Sequence, residues 1–313
     1  MSGYQGASGA AARILVRRTG ALGDVLCTTP ALRALRRSTG PAATIDVHTA
    51  HPVVLAGNPD VTRVRDAGAP VSGPQAYDFY LDLDLAYERR PRMHLVDAYL
   101  LEVLGDSLTA EPRLKQVVFE FDRTAGSEFA SDAELSSTIV FHAARTWPNR
   151  SPTPQFWGAL TQIVLDRGYR VIVVGSGQDL ATRDTDRVRN LVNRGAGLGQ
   201  IAALIHRSAC FVTPDSGLLH LAGATEAPIV ALFTCVKAEY RLPYRNGVLG
   251  QDVVAVTPHL DCYGCLADLP PPVTFCGCRR GDHACITGMD PHAVADAVER
   301  AIETGTLRGL QAG

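Results

Sequence analysis

The chain is expected to fold as two α/β units, each a parallel sheet with helices on both faces. Three observations predict this. Short β-rich apolar runs alternate with helical patterns almost throughout. The 313 residues exceed one typical domain and fall short of three, and 46% hydrophobic content is ample for two cores. The alternation lapses over DRTAGSEFASDAELSS at 122–137 and then restarts, which reads as a linker. The expected division is an N-terminal domain over 1–130 and a C-terminal domain over 131–313.

The elements follow in order. An apolar run at 13–17 is the first strand, and the apolar spacing over 24–37 predicts a helix. Runs at 44–48, 61–65, 77–83 and 116–121 read as strands, with a helix at 95–104. Past the linker come a strand at 137–142, a helix at 154–166, a strand at 170–175, a helix near 180–192 and a short helix at 199–206. A strand at 209–213, a helix from Ser216 and a strand at 228–233 complete the pattern. The last helix, 291–303, has Asp290 as cap and Pro291 at its first position. No repeat of 20 to 50 residues is visible.

Net charge is −2, so no global field favours nucleic acid or an anionic membrane. No apolar run reaches the roughly 20 residues a membrane span needs. Residues 1–11 are small and polar and read as a disordered leader, not a signal peptide, which places the protein in the cytoplasm. Apart from Lys115 and Lys237 every cationic residue among the lysines and arginines is arginine, a skew that points to genome composition. Eight cysteines without an export signal argue against a disulfide framework.

Parallel sheets bind ligands at the carboxyl ends of their strands, so the strand-to-helix turns carry the chemistry. Two turns stand out. In RRTGALGD, residues 17–24, Asp24 is the only acid among six arginines between positions 11 and 40. It either caps the following helix or does acid–base work, and a nearby arginine would hold it ionised. Arg17 and Arg18 suit an anionic group, whereas Arg33, Arg36 and Arg37 read as a solvated helix face. In TPDSGLLH, residues 213–220, Asp215, Ser216 and Gly217 open a helix on which His220 lies one turn along, a cluster suited to a diphosphate. The alternatives are an ordinary N-cap and a core histidine. Arg145 and Arg150 lie on the loop after the strand ending at His142, beside Trp147, read as packing. Gly175 and Gly177 follow the next strand and suit either a nucleotide or any tight turn. Five cysteines crowd 262–285 as C-x2-C, ten residues, C-x-C, six residues, C. That spacing suits a structural tetrathiolate site for Zn or Fe on Cys262, Cys265, Cys278 and Cys285, with Cys276 in reserve and His283 a weaker choice. Free thiols on a long loop are the alternative.

The ordered set of motifs resembles the family 9 glycosyltransferases, best known as ADP-heptose-dependent heptosyltransferases. The family's D-[TS]-G-x-x-H-x-A stands here as Asp215, Ser216, Gly217, His220 and Ala222, and its opening strand with a glycine-bracketed G-D as Arg17 to Asp24. YDFYLDLD at 77–84, FHAARTWPNRSPTPQFW at 141–157 and the cysteine-bearing tail keep the family's order. The resemblance implies a GT-B fold, two facing Rossmann-like domains with parallel sheets. It also implies inverting sugar transfer from a nucleotide-diphospho-sugar, ADP-heptose above all, to an acceptor hydroxyl. Asp24 would be the general base, Arg17 and Arg18 would bind acceptor, and Arg145, Gly175, Asp215, Ser216, Gly217 and His220 would bind donor. Some members carry a phosphate-binding lysine where this chain has none, and Arg145 is the substitute. No cofactor is needed for transfer. The acceptor is a lipopolysaccharide core, a protein or a small natural product. A nucleotide-sugar epimerase of the same fold and a metal-binding scaffold are the competing readings.

Overall fold

The computed structural model describes residues 12–68, 76–105, 111–145, 147–179, 183–268 and 277–311. Two compact units are present: residues 1–120 with 243–251, and residues 121–242 with 252–313.

The first unit runs β1 (Arg13–Arg17), α1 (Leu22–Leu26), α2 (Thr29–Thr39), β2 (Thr44–Thr49), β3 (Arg63–Asp66), β4 (Phe79–Asp82) and α3 (Leu95–Leu104). All pairs in its sheet are parallel, in the order β3-β2-β1-β4. The chain therefore winds outward from β1 through β2 to β3 and returns to β1's other side as β4. That reversal places a crevice beyond the carboxyl ends of β1 and β4.

The second unit has β5 (Thr138–His142), α4 (Pro154–Asp166), β6 (Arg170–Val174), β7 (Val188–Asn190) and α5 (Leu198–Arg207). Then come β8 (Cys210–Pro214), α6 (Gly217–Gly223), β9 (Ile229–Leu232), β10 (Val253–Val256) and α7 (Pro291–Gln311). Its six parallel strands stand in the order β10-β9-β8-β5-β6-β7, so its reversal lies between β5 and β8. Ile139, Phe141, Val173, Val212 and Leu232 form the apolar sheet face, covered by Phe156, Trp157 and Leu160 of α4 and Val294, Ala297 and Val298 of α7. Trp157 is 1% exposed and Phe141 fully buried, each such ring contributing about 1.5–3 kcal/mol.

Several elements depart from the sequence reading. The helix expected over 24–37 is two helices that begin at Leu22. They break where the hydroxyls of Thr28 and Thr29 bond the carbonyls of Val25 and Leu26 and Pro30 has no N–H to give. The strand expected over 116–121 does not form: Val118 N–H is taken by the Thr29 hydroxyl, and the Arg33 guanidinium takes the carbonyls of Leu114 and Gln116. Arg33 is thus pinned, not solvated; Arg37, 60% exposed, is the solvated one. Of the helix expected over 180–192, residues 180–182 lie outside the described residues and 188–190 are the edge strand β7, reached through turns in which Thr185 and Asp184 side chains capture N–H groups. β10 has no counterpart in the expected elements. Residues 1–11, the expected leader, lie outside the described residues.

Residues 243–251 belong with the first unit although their neighbours in sequence do not. They form a hairpin, Tyr244 opposite Leu249 and Arg245 opposite Val248, closed by Asn246-Gly247, both at positive φ as a two-residue hairpin turn requires. The Tyr244 ring packs edge-on against His94 at 4.9 Å and under Lys115 at 5.2 Å. No helix among the described residues is long and apolar enough to cross a membrane.

Candidate active site

At the β1/β4 reversal the end of β1 delivers Arg17 and Arg18, and the turn after β4 delivers Asp84 and Glu88. Arg18 is 2% exposed and donates in three directions. Nη2 lies 2.7 Å from Asp24 Oδ2 and 3.3 Å from Glu88 Oε1, Nη1 lies 3.2 Å from the Leu83 carbonyl, and Asp84 Oδ1 is 3.7 Å away. The guanidinium also sits 5.5 Å from the ring centres of Tyr87 and Tyr99. A charge so buried is tolerable only with such partners. Burial works against the Arg18 charge, but Tyr99, Asp24 and Glu88 overcome it and hold the pKa above the ordinary arginine range. Burial drives the Tyr99 phenol well above its usual range.

Asp24 lies in the first turn of α1, whose N-cap is Ala21, so its carboxylate answers Arg18 and not the helix end. Gly20 makes the pair possible: a Cβ there would meet Arg18 Nη2 at 2.7 Å and Asp24 Oδ2 at 2.9 Å. Thr19 donates its N–H and hydroxyl to the Asp84 carboxylate, both at 2.8 Å. Partial burial raises Asp84, yet the Thr19 donors with Arg17 and Arg18 outweigh it and keep the group below the usual carboxylate range. Arg17 is the half-exposed cation of the set, 3.3 Å from both Asp82 and Asp84.

At the β5/β8 reversal, His142 ends β5 and the turn after β8 carries Asp215 and Ser216. His142 Nδ1 lies 2.9 Å from Ser216 Oγ and 3.4 Å from Thr213 Oγ1; the two hydroxyls are 3.2 Å apart. Asp215 is buried, with Arg150 Nη1 3.2 Å from its Oδ2. Arg150 stacks over Trp147 at 4.1 Å, giving that ring a role beyond plain packing. Gly217 starts α6, a helix of seven residues, and His220 is buried on it. Gly175, at φ +130, opens the turn after β6. Arg145 lies in a two-residue strand paired with residues 178–179, and its side chain lies outside the described residues.

Burial alone holds His142 neutral, its pKa pushed down from 6.5 to about 4. The unfolded chain binds a proton between those values and the folded chain does not, so stability is present above pH 6.5 and lost as pH falls toward 4. The full effect is about 3 kcal/mol. Unfolding free energies from urea titrations at pH 7 and pH 4.5 should differ by about 2 kcal/mol more in the wild type than in His142→Asn; equal differences would refute it.

The cysteines converge with one addition. Cys262, Cys265, Cys278 and Cys285 neighbour each other and Cys235, which follows β9 and packs with Cys265 and Val236. Burial first, then the other four sulfurs, push the Cys285 thiol up to about 11. At Cys278 slight burial is outweighed by backbone N–H groups of His283, Arg280 and Gly281, which hold that thiol below its ordinary value. Among the described residues no three Cys, His, Asp or Glu side chains stand at metal-ligating spacing. Cys276 lies outside the described residues. Cys235 also borders the other centre: burial, the largest cause, raises its thiol and nearby Asp215 adds to this, while Arg150 and Thr234 work in the opposite direction.

Residues 112–266 match the family model for glycosyltransferase family 9 (heptosyltransferase). The chain carries a family 9 glycosyltransferase domain. The family 9 match includes His142, Arg150, Asp215, Ser216 and His220. Lipopolysaccharide heptosyltransferase 2 of Escherichia coli K12 is 34% identical over 103 residues, 30% of this chain and 28% of that relative. The chain thus spans under a third of the curated relative it matches. Among solved structures, a family 9 glycosyl transferase from Veillonella parvula superposes with a TM-score of 0.70 at 17% identity, covering 95% of this chain and 99% of the other. The dodecameric iron-containing heptosyltransferase TibC, in complex with ADP-D-β-D-heptose, gives 0.68 at 15% identity, over 93% and 77%. These likenesses establish the GT-B fold, with its two Rossmann-like parallel-sheet units.

Asp84, Glu88, His142 and Cys235 escaped the sequence reading. The first two stand in the quoted YDFYLDLD stretch or just past it, but nothing local ties them to Arg18. His142 was visible only as a strand end.

Proposed function

We propose that the protein is an inverting glycosyltransferase that moves a sugar, heptose from ADP-heptose, to an acceptor hydroxyl. The observation that carries this reading is topological. In each unit the chemistry-bearing residues gather at the one reversal of strand order, where parallel sheets bind ligands.

In the first unit Asp24 accepts the proton of the acceptor hydroxyl as the anomeric carbon opens toward an oxocarbenium-like transition state. Arg18 is a positioning residue that aims this carboxylate through its Nη2 donor. Arg17, with its exposed face, meets an anionic group on the acceptor. In the second unit Ser216, the backbone of Gly217, His220 and Arg145 hold the donor diphosphate as it departs. Asp215, pinned by Arg150, orients that turn, and Gly175 leaves room for the nucleotide. Titrating nucleotide sugars in a thermal-shift screen and then following ADP release with and without acceptors tests the reading. Stabilisation by ADP-heptose and release that needs an acceptor support it. Turnover without acceptor identifies an epimerase instead, and absence of nucleotide binding identifies a scaffold.

Cys262, Cys265, Cys278 and Cys285 are proposed to hold a structural Zn or Fe ion. What supports this is the donor chemistry alone: soft sulfurs gather and three backbone N–H groups favour the Cys278 thiolate, while no three of the described side chains stand at ligating spacing. The ion would cross-link the loop before α7 and takes no part in transfer. Cys265→Ser should roughly halve metal content or more and lower the melting temperature by several degrees. Metal analysis showing a metal-free wild type of equal stability would end this assignment.

A further inference from the structure

His142, Ser216 and Thr213 form a closed group whose protons can be counted. The Thr213 hydroxyl donates to the Pro214 carbonyl at 2.9 Å, so Thr213 Oγ1 can only accept from its neighbours. Ser216 is the N-cap of α6 but makes no side-chain capping bond, which leaves its hydroxyl to His142 and Thr213. It has one proton. If that proton pointed at His142 Nδ1, then two oxygens with nothing to donate would face each other at 3.2 Å. If Nδ1 carries the hydrogen instead, every contact is satisfied in one direction: His142 to Ser216, Ser216 to Thr213, Thr213 to the Pro214 carbonyl.

Resting on the reading of this turn as the donor diphosphate site, we propose that His142 is a positioning residue: its Nδ1–H donates to Ser216 Oγ, freeing the serine proton to turn from Thr213 to a diphosphate oxygen. When the serine proton turns to the anion, the Ser216–Thr213 bond is exchanged for a charge-assisted one while Ser216 Oγ still accepts from Nδ1–H. In the other tautomer the same turn would also leave Nδ1 facing Ser216 Oγ with no hydrogen between them. The same arrangement separates Ser216 from a nucleophilic serine, because an Nδ1 that already carries hydrogen cannot accept the serine's proton.

Two measurements on the full chain test this. Two-bond 1H–15N correlation spectra report the His142 tautomer directly: Nδ1–H is expected, and an Nε2–H signal overturns the proposal. Calorimetric titration with ADP, UDP and GDP then reads the coupling. His142→Ala and Ser216→Ala should each weaken the preferred diphosphate about tenfold. The double variant should lose little more than either alone, because both remove one shared contact. His142→Asn, whose amide nitrogen replaces Nδ1–H, should stay within about threefold of wild type. Wild-type binding with an unaffected His142→Ala, or losses that multiply in the double variant, refutes the positioning role while leaving the diphosphate site standing. A wild type that binds none of the three probes overturns the donor-site reading, and this inference with it.

Discussion

Asp24→Ala is expected to cut acceptor-dependent turnover by about 10²–10⁴-fold, the range removed with a positioned general base. Affinity for ADP should change by less than about twofold, because the residues proposed to hold the donor belong to the other unit. Asp24→Asn sharpens the test. Its amide oxygen can still accept from Arg18 Nη2, now 2.7 Å from the carboxylate, so the local packing survives while the proton acceptor is gone. Both variants should therefore share the kinetic defect, and only the alanine should also lose stability. Near-normal turnover of Asp24→Asn in a discontinuous ADP-release assay would remove the base assignment.

Arg18→Leu carries the largest expected stability effect. The Arg18 side chain is buried, and its guanidinium faces Asp24, Asp84 and Glu88. Removing it leaves carboxylates gathered without their cation and strips the faces of Tyr87 and Tyr99, at a cost of about 3–5 kcal/mol. Arg18→Lys recovers part of this, since an ammonium supplies charge but not the fork that reaches Asp24, Glu88 and the Leu83 carbonyl together. Urea denaturation followed by far-ultraviolet circular dichroism reads the loss. Should Arg18→Leu unfold within about 1 kcal/mol of wild type, the carboxylate cluster is not held by this residue. Turnover lost in Arg18→Lys while its fold persists would separate aiming Asp24 from supporting the sheet.

These two residues show how unevenly the sequence can be read. Asp24 was legible as a lone acid at a strand-to-helix turn, and the turn at 213–220 as a strand end, a glycine and a histidine one helical turn on. Arg18 was legible only as a cation. Its acid partners Asp84 and Glu88 lie 66 and 70 positions away, and no spacing encodes that distance. The missed hairpin is a different case. Asn246-Gly247 is a strong local turn signal, but flanking strands of two residues each hid it from a search for longer runs. The helix wrongly expected near 180–192 failed because that stretch earns its strand only from β6 beside it, through Val171 and Val173.

What the residues determined by themselves is local: where apolar runs begin and end, which turns carry an acid, a serine or a histidine, and that cysteines crowd before the last helix. Periodicity and turn chemistry are near-neighbour effects, so a linear reading captures them. The order of strands in each sheet was decided by tertiary packing, and with it the pairing of β1 with β4 and of β5 with β8. That order set Arg18 beside its acids, joined His142 to Ser216 across 74 positions and brought Cys235 to the other cysteines. Sheet closure rewards contacts between distant segments only once all the strands are in place, and so the partners of the chemical groups, unlike their positions, belong to the folded molecule alone.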